Sequence, residues 1–180
     1  MENSSAHSCS CPAARGTQHA VYILSRVVEE IMAFCQRRLP NEALGMLLGR
    51  RCQHEGRRYV RVTDWVTGSV DASPVHAEFT AQGVAECHIE LAERYGSAQA
   101  RPHAVGLFHS HPFGGLPTLS QEDLATFGCF PYNAEGNVFV LVNPRTGHFL
   151  VFQRDSAGAL VEQEWVEYAP QSPDGSARGG

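Results

Sequence analysis

The chain has 180 residues, a length that suits one domain with a hydrophobic core and is short for two. Hydrophobic residues make up 43% and charged residues 18%, as in ordinary globular proteins, and no apolar run reaches the ~18 residues of a membrane span. The net charge of −5 argues against a nucleic-acid surface, which depends on clustered basic residues. The start of the chain lacks the basic and apolar stretches of a secretory signal, which predicts a cytoplasmic location.

Composition divides the chain into three parts. Residues 1–18 and 169–180 are small, polar and aperiodic, so we expect a disordered leader and a disordered tail. One folded domain is predicted over residues 19–168. The cysteines are scattered and form no Cys-x-x-Cys pair, so a cysteine-based zinc site is not expected. We interpret Cys129 as a buried structural thiol.

The first predicted elements are a helix and two strands. Ser25 is expected to cap a helix whose apolar residues recur at helical spacing, and Pro40 ends it. A short apolar run over residues 43–48, closed by Gly49, predicts a buried strand. Residues 57–66 alternate between apolar and polar side chains, which predicts a half-buried strand.

The later elements complete a mixed pattern of helices and strands. Thr80 is expected to cap a second helix that ends at Gly96, and Ser120 to begin a third. Short apolar or alternating runs predict strands over residues 105–109, 138–142, 148–153 and 160–168. The whole pattern predicts an α/β protein with a mixed central sheet packed by helices, and it leaves the strand order open.

Residues 109–123, which read HSHPFGGLPTLSQED, carry the chemistry. Residues i and i+2 at the end of a strand point the same way, so His109 and His111 can offer two imidazoles to one ion. Pro112 ends strand pairing directly behind them. Asp123 lies in the first turn of the predicted third helix, where a carboxylate is favoured. Two histidines and a carboxylate, with a fourth position open, are typical of a catalytic zinc site.

Each part of this motif also has a structural explanation. Ser120 and Asp123 alone would be read as a helix capping box, and a lone His-x-His is more often a surface or buried pair. Five fixed positions together, however, arise by chance in roughly one chain of this size in ten thousand. The conjunction therefore favours the metal site.

An upstream segment extends the motif. Residues 40–49 read PNEALGMLLG, a Pro-x-Glu-x-x-Gly segment followed by an apolar strand that closes in glycine. With this segment, the chain resembles the JAMM (MPN-plus, Jab1/MPN, Mov34-type) zinc metalloproteases, and in particular their compact bacterial members. The signature of that family is an upstream glutamate, His-x-His-Pro, a spacer and Ser-x-x-Asp. The resemblance implies the Jab1/MPN fold, which has a cytidine-deaminase-like architecture.

The resemblance also implies roles for five residues. His109, His111 and Asp123 would be the ligands of a zinc ion. Glu42 would be the catalytic glutamate, and Ser120 would supply the hydroxyl that stabilises the oxyanion.

The spacer departs from the family pattern. Seven residues separate Pro112 from Ser120, one more than the commonest spacing. A shorter register would put Leu119 and Glu122 in the serine and aspartate places. Leucine has no hydroxyl, which favours Ser120 and Asp123.

Family members of this kind cut the peptide or isopeptide bond after the Gly-Gly tail of ubiquitin-like proteins. We therefore expect a ubiquitin-like protein or its conjugate as substrate, E1- and E2-like proteins as further partners, and neither nucleic acid nor membrane. Three alternatives stay open: a non-catalytic MPN-type scaffold, processing of a sulfur-carrier protein, and another zinc enzyme such as a deaminase. His88-Ile-Glu90 matches the His-x-Glu start of zinc deaminases, but the downstream Pro-Cys-x-x-Cys is missing.

Overall fold

The structure, a computed structural model, describes residues 21–96, 101–115, 117–129, 132–154 and 158–170. The leader predicted over residues 1–18 lies outside these ranges, as does the predicted tail beyond residue 170. The limits of the folded domain therefore stay predictions. In the described ranges, no helix has the length and apolar character needed to cross a membrane.

The described part of the chain contains ten strands and three helices. The strands are β1 (Val21–Leu24), β2 (Leu44–His54), β3 (Arg57–Val66), β4 (Val70–Ser73), β5 (His76–Phe79), β6 (His103–Ser110), β7 (Val138–Asn143), β8 (His148–Arg154), β9 (Leu160–Glu162) and β10 (Trp165–Tyr168). The helices are α1 (Ser25–Arg38), α2 (Ala81–Tyr95) and α3 (Gln121–Gly128).

Eight of the strands form one mixed sheet in the order β10-β1-β3-β2-β6-β7-β8-β9, and β4 and β5 form a separate hairpin. Strand β1 runs parallel to both β10 and β3, and β6 runs parallel to β7. The other neighbours in the large sheet are antiparallel. This arrangement confirms the predicted α/β class with a mixed central sheet.

Helices cover both faces of the sheet. On one face, α1 packs Val27 and Ile31 into a core cluster that includes Phe108. On the other face, α2 contributes Leu91 and α3 contributes Phe127 to a second cluster. The first half of β2, most of β6 and all of β7 are buried on both faces, so they read as apolar runs instead of alternating ones.

The hairpin β2–β3 is longer than predicted. The sequence interpretation ended the first strand before Gly49, but β2 continues to His54 and pairs with β3 as far as Arg57. Glu55 and Gly56 join the two strands with φ of 48° and 79°. Two residues with positive φ make a hairpin turn whose twist matches that of the strands. The polar ends of β2 and β3 can therefore continue to pair up to the turn.

Two other predictions are corrected by the structure. Ser25 does not cap α1: its hydroxyl donates to the carbonyl of Tyr168, and the residue at the N-cap position, Leu24, makes no side-chain cap. The last predicted strand, residues 160–168, is two strands on opposite edges of the sheet, β9 beside β8 and β10 beside β1. The sequence interpretation also missed β1, β4 and β5, which have only four residues each.

Candidate metal centre

Two antiparallel strands bring the predicted glutamate and the first histidine together. Leu44 of β2 lies opposite His109 of β6, so Glu42, just before β2, lies beside the end of β6. The backbone of Ala43 fixes this register. Its N–H donates to the Ser110 hydroxyl at 2.8 Å, and its carbonyl accepts from the Ser110 N–H at 2.9 Å.

Helix α3 delivers the carboxylate of Asp123. Ser120 is the N-cap residue, and its hydroxyl accepts a hydrogen bond from the backbone N–H of Asp123 at 3.1 Å. The Asp123 carboxylate in turn accepts from the backbone N–H of Ser120 at 2.7 Å. This capping box holds the carboxylate at the start of the helix, where both of its oxygens also reach other side chains.

Four side chains meet at this place. A Glu42 oxygen lies 2.7 Å from Nε2 of His109, and an Asp123 oxygen lies 2.8 Å from Nδ1 of the same ring. The other Asp123 oxygen lies 3.2 Å from Nε2 of His111. All four residues are between 3% and 8% exposed. The structure thus brings together the predicted glutamate, both histidines and the predicted aspartate.

The contacts within this cluster change the pKa values of its members. Burial alone would lower the pKa of His109, but hydrogen bonds with Asp123 and Glu42 outweigh it and raise the pKa to about 9. Burial alone would raise the pKa of Asp123, but the two histidines outweigh it and hold that pKa below its usual range. In the metal-free protein, the imidazole of His109 therefore carries a proton at neutral pH.

The cluster fits a metal ion. Glu42, His109 and His111 each present one ligand atom, and these three atoms lie within 4.8 Å of one another. Asp123 contacts both imidazoles from α3. Imidazole and carboxylate are ligands of zinc, and buried charged groups in proteins are paired with one another or coordinate a metal. Both carboxylates reach the same place, so the assignment of Asp123 as ligand and Glu42 as proton acceptor stays a prediction.

The cluster opens to solvent through a cleft of about 510 Å³. The residues that line the cleft are Glu42, Val75, His109, His111, Phe113, Gly114, Pro117, Thr118, Ser120, Gln121, Glu122 and Asn143. Glu122 faces the rim, where its exposed carboxylate lies 3.2 Å from Nδ1 of His76 in β5. The two spacer registers allowed either Glu122 or Asp123 as ligand. Only Asp123 of these two contacts His109 and His111 among the described ion pairs.

Comparison with known families identifies the domain. The family described as prokaryotic homologs of the JAB domain matches residues 24–150, well over half of the chain. The chain belongs to this family. The match confirms the resemblance to JAMM/MPN-type proteins, and the matched range contains all four residues of the cluster.

The fold of this JAB domain occurs in a solved bacterial protein. The solution structure of protein DSY2949 from Desulfitobacterium hafniense is similar to it with a TM-score of 0.52 at 18% sequence identity. The similarity covers 83% of this chain and 94% of that chain. At such low identity it concerns the fold alone. No curated protein matches the sequence.

Asn143, at the end of β7, holds the loop of the JAB domain that follows the second histidine. Its side-chain amide donates to the carbonyl oxygens of Phe113 at 2.7 Å and Gly115 at 3.0 Å. Its side-chain oxygen accepts from the backbone N–H groups of Arg145 at 3.0 Å and Thr146 at 3.3 Å. Sequence reasoning missed this residue, since Asn-Pro indicates a turn and gives no sign of a partner 30 positions away.

The remaining candidates, His88 and Cys129, are not among the described residues that line the cleft. His88 is exposed on α2, and the sequence has no downstream Pro-Cys-x-x-Cys to complete a deaminase site. Cys129 is exposed, so its interpretation as a buried thiol was wrong. The reason is its position as the residue that ends α3, outside the apolar face that buries Phe127.

Proposed function

We propose that this JAB-domain protein is a zinc-dependent metallopeptidase or isopeptidase that hydrolyses the bond after the Gly-Gly tail of a ubiquitin-like protein. The observation that carries the proposal is the buried cluster of two imidazoles and two carboxylates at the base of an open cleft. Family membership supports it, because the JAB domain family includes metalloproteases.

A zinc ion held by His109, His111 and Asp123 would supply Lewis acidity that activates water and polarises the scissile carbonyl. Glu42 would move the protons in this proposal, which is supported by a carboxylate that is buried and also lines the cleft. It would accept a proton from the attacking water and return that proton to the departing amine.

Ser120 is suited to stabilise the developing oxyanion. Its hydroxyl accepts the backbone N–H of Asp123, which leaves the hydroxyl hydrogen free to donate. The side chain lines the same cleft as the histidines. A donor in this place would strengthen its hydrogen bond as negative charge grows on the carbonyl oxygen.

The proposed substrate is an extended chain that ends in two glycines. Glycine has no side chain, so its backbone can approach the buried cluster closely. The ubiquitin-like body would supply most of the affinity, and E1- and E2-like proteins would act in the same system. An alternative function is the trimming of a sulfur-carrier protein of similar fold. That reaction would hydrolyse the same kind of bond.

The decisive experiment combines metal analysis with cleavage of a fusion. Zinc-loaded protein should release a reporter fused behind a cognate ubiquitin-like protein that ends in Gly-Gly. Cleavage should stop with o-phenanthroline and with His109→Ala, and it should survive alkylation of thiols. Replacement of the two glycines by bulkier residues should sharply lower kcat/KM.

Each alternative gives a different result in this experiment. Protein that binds no zinc would contradict the metallopeptidase proposal. Zinc-loaded protein that cleaves no peptide or isopeptide bond would favour the MPN-type scaffold. Equal cleavage of the bulky-tailed substrate would exclude the Gly-Gly requirement and leave a zinc peptidase of other specificity.

A further inference from the structure

Two of the large apolar side chains that the structure exposes lie at the cleft. In the described residues, four such side chains are exposed: Val75 at 71%, Ile89 at 57%, Phe113 at 45% and Leu124 at 37%. Single exposed apolar residues are common on any surface. Val75 and Phe113, however, come from distant parts of the chain and line the same cleft, together with Glu42, His109 and His111 of the metal cluster.

Phe113 is held in place at the cleft. Its carbonyl accepts the hydrogen bond from Asn143, a residue that is 1% exposed, so the backbone of the loop is fixed. Its ring packs against that of His111, with centroids 5.3 Å apart and planes tilted by 37°. A side chain fixed in this way loses little conformational entropy when it contacts a ligand.

Val75 is also held near the cluster. It lies in the turn between β4 and β5, and the carbonyl of Ser73 in this hairpin accepts from the backbone N–H of Glu42 at 2.8 Å. The contact between His76 and Glu122 ties the other side of the turn to α3. The hairpin therefore presents an apolar side chain next to the predicted proton acceptor.

We infer that Val75 and Phe113 select substrates that carry a hydrocarbon group on the amine side of the scissile bond. This inference rests on the proposed function, in which the acyl side ends in two glycines and has no side chain to offer. The hydrocarbon is the side chain of the residue that follows a peptide bond, or the methylene stem of a lysine in an isopeptide bond. Among the described residues that line the cleft there is no arginine to attract an acidic group.

Binding of zinc-chelating probes tests this inference without catalysis. We would measure Kd by calorimetry for succinyl hydroxamates bound to the full-length zinc-loaded chain. Their side chain, at the position after the scissile bond, would be hydrogen, hydroxymethyl, aminobutyl, isobutyl or unbranched butyl. Isobutyl or butyl should bind about tenfold more tightly than hydroxymethyl, the lower end of the discrimination that apolar contacts give. A preference for isobutyl indicates a peptide substrate, and a preference for butyl indicates a lysine stem.

Matched variants locate the selectivity. In Val75→Ser/Phe113→Ser, the advantage of the hydrocarbon probes should fall to about twofold or less, because the apolar contact area is lost. Phe113→Leu should retain most of it. Ile89→Ser removes an exposed apolar side chain of α2 and should leave every Kd unchanged. Zinc content and Tm show that each variant is folded and loaded.

Three outcomes would overturn the inference. One is equal affinity for the hydrocarbon and hydroxymethyl probes, and another is tightest binding of the aminobutyl probe, which would indicate selection by charge. The third is hydrocarbon selectivity that survives the double substitution. Failure of every hydroxamate to bind the zinc-loaded protein would instead contradict the proposed catalytic zinc centre, and this inference with it.

Discussion

Asp123 has two tasks in the candidate site, and its carboxylate takes part in both. Its backbone N–H and one carboxylate oxygen complete the capping box with Ser120 at the start of α3. The carboxylate also contacts the imidazoles of His109 and His111. Its neighbour Glu122 contacts only the rim residue His76 among the described ion pairs. Substitutions of these two adjacent acidic residues therefore test which carboxylate binds the metal.

Replacement of Asp123 should weaken zinc binding. Asp123→Asn keeps an oxygen for the capping box but removes the charge, so the helix should persist and the zinc affinity should fall. Loss of an outer partner of a ligand typically costs ~10–100-fold in affinity, and we expect loss of a ligand to cost more. Competition for zinc with a chromogenic chelator measures the zinc affinity of each variant.

Glu122→Gln serves as the control and should leave the zinc affinity nearly unchanged. Opposite results for the two variants would mean that the shorter spacer is correct, and Ser120 would then lose its assigned role.

Glu42→Gln separates proton transfer from metal binding. The substitution is nearly isosteric, and it removes the capacity to accept a proton. General acid–base groups typically contribute ~10²–10⁴-fold to the rate, so we expect folded, zinc-loaded and almost inactive protein. Elemental analysis and the fusion assay measure the two quantities separately. If zinc is lost together with activity, Glu42 is a ligand, as its position within the Glu42/His109/His111 group also allows.

At the scale of elements, the β7–β8 turn and the loop after β6 act as one unit through Asn143. Removal of this side chain leaves two carbonyl oxygens and two N–H groups without their partner. Asn143→Ala should therefore lower the free energy of unfolding by about 1–3 kcal/mol. It should also weaken zinc binding by about 10–100-fold, because the loop follows the ligand His111 directly.

Asn137 offers a matched control for this prediction. It is also a buried asparagine, and it precedes β7 whereas Asn143 ends that strand. Its amide donates to the carbonyl of Tyr132 at 2.9 Å, remote from the cleft. Asn137→Ala should also destabilise the fold but leave the zinc affinity unchanged. Equal losses of zinc affinity in both variants would show a general effect of instability and no positioning by Asn143.

At the scale of the whole molecule, the cluster links folding to pH and to metal. The folded metal-free protein holds a proton on His109 up to a pKa of about 9, whereas the ordinary pKa of histidine is 6.5. This contribution to stability is fully present below pH 6.5 and is lost as the pH rises through about 9. A bound metal replaces that proton, so the loss should be absent from the zinc-loaded form.

Thermal unfolding between pH 6 and pH 9 tests this linkage. The Tm of the metal-free protein should fall over this range more than the Tm of the zinc-loaded protein. Cysteines and other titratable groups that both forms share affect the two Tm values alike, so their effect cancels in the comparison. Parallel curves for the two forms would mean that the proton on His109 does not contribute to stability.

The sequence determined the parts of this protein that depend on local spacing. The helix that Thr80 caps and Gly96 ends is confirmed, because capping is a contact between residues three or four positions apart. The α/β class followed from the alternation of elements, and the histidines followed from their spacing of two at a strand end. Glu42 and Ser120 came from resemblance to a family.

Only the tertiary structure decided which distant groups meet. The Ser25 hydroxyl bonds to Tyr168 of the neighbouring strand β10 instead of capping its own helix, and Asn143 reaches the loop at Phe113. The sequence also left the order of the strands undetermined, and the structure puts β9 and β10 on opposite edges of the sheet. These contacts depend on how separate elements pack, and many packings satisfy the same local pattern of apolar and polar residues. The convergence of Glu42 and Asp123 on one pair of imidazoles is a result of that packing.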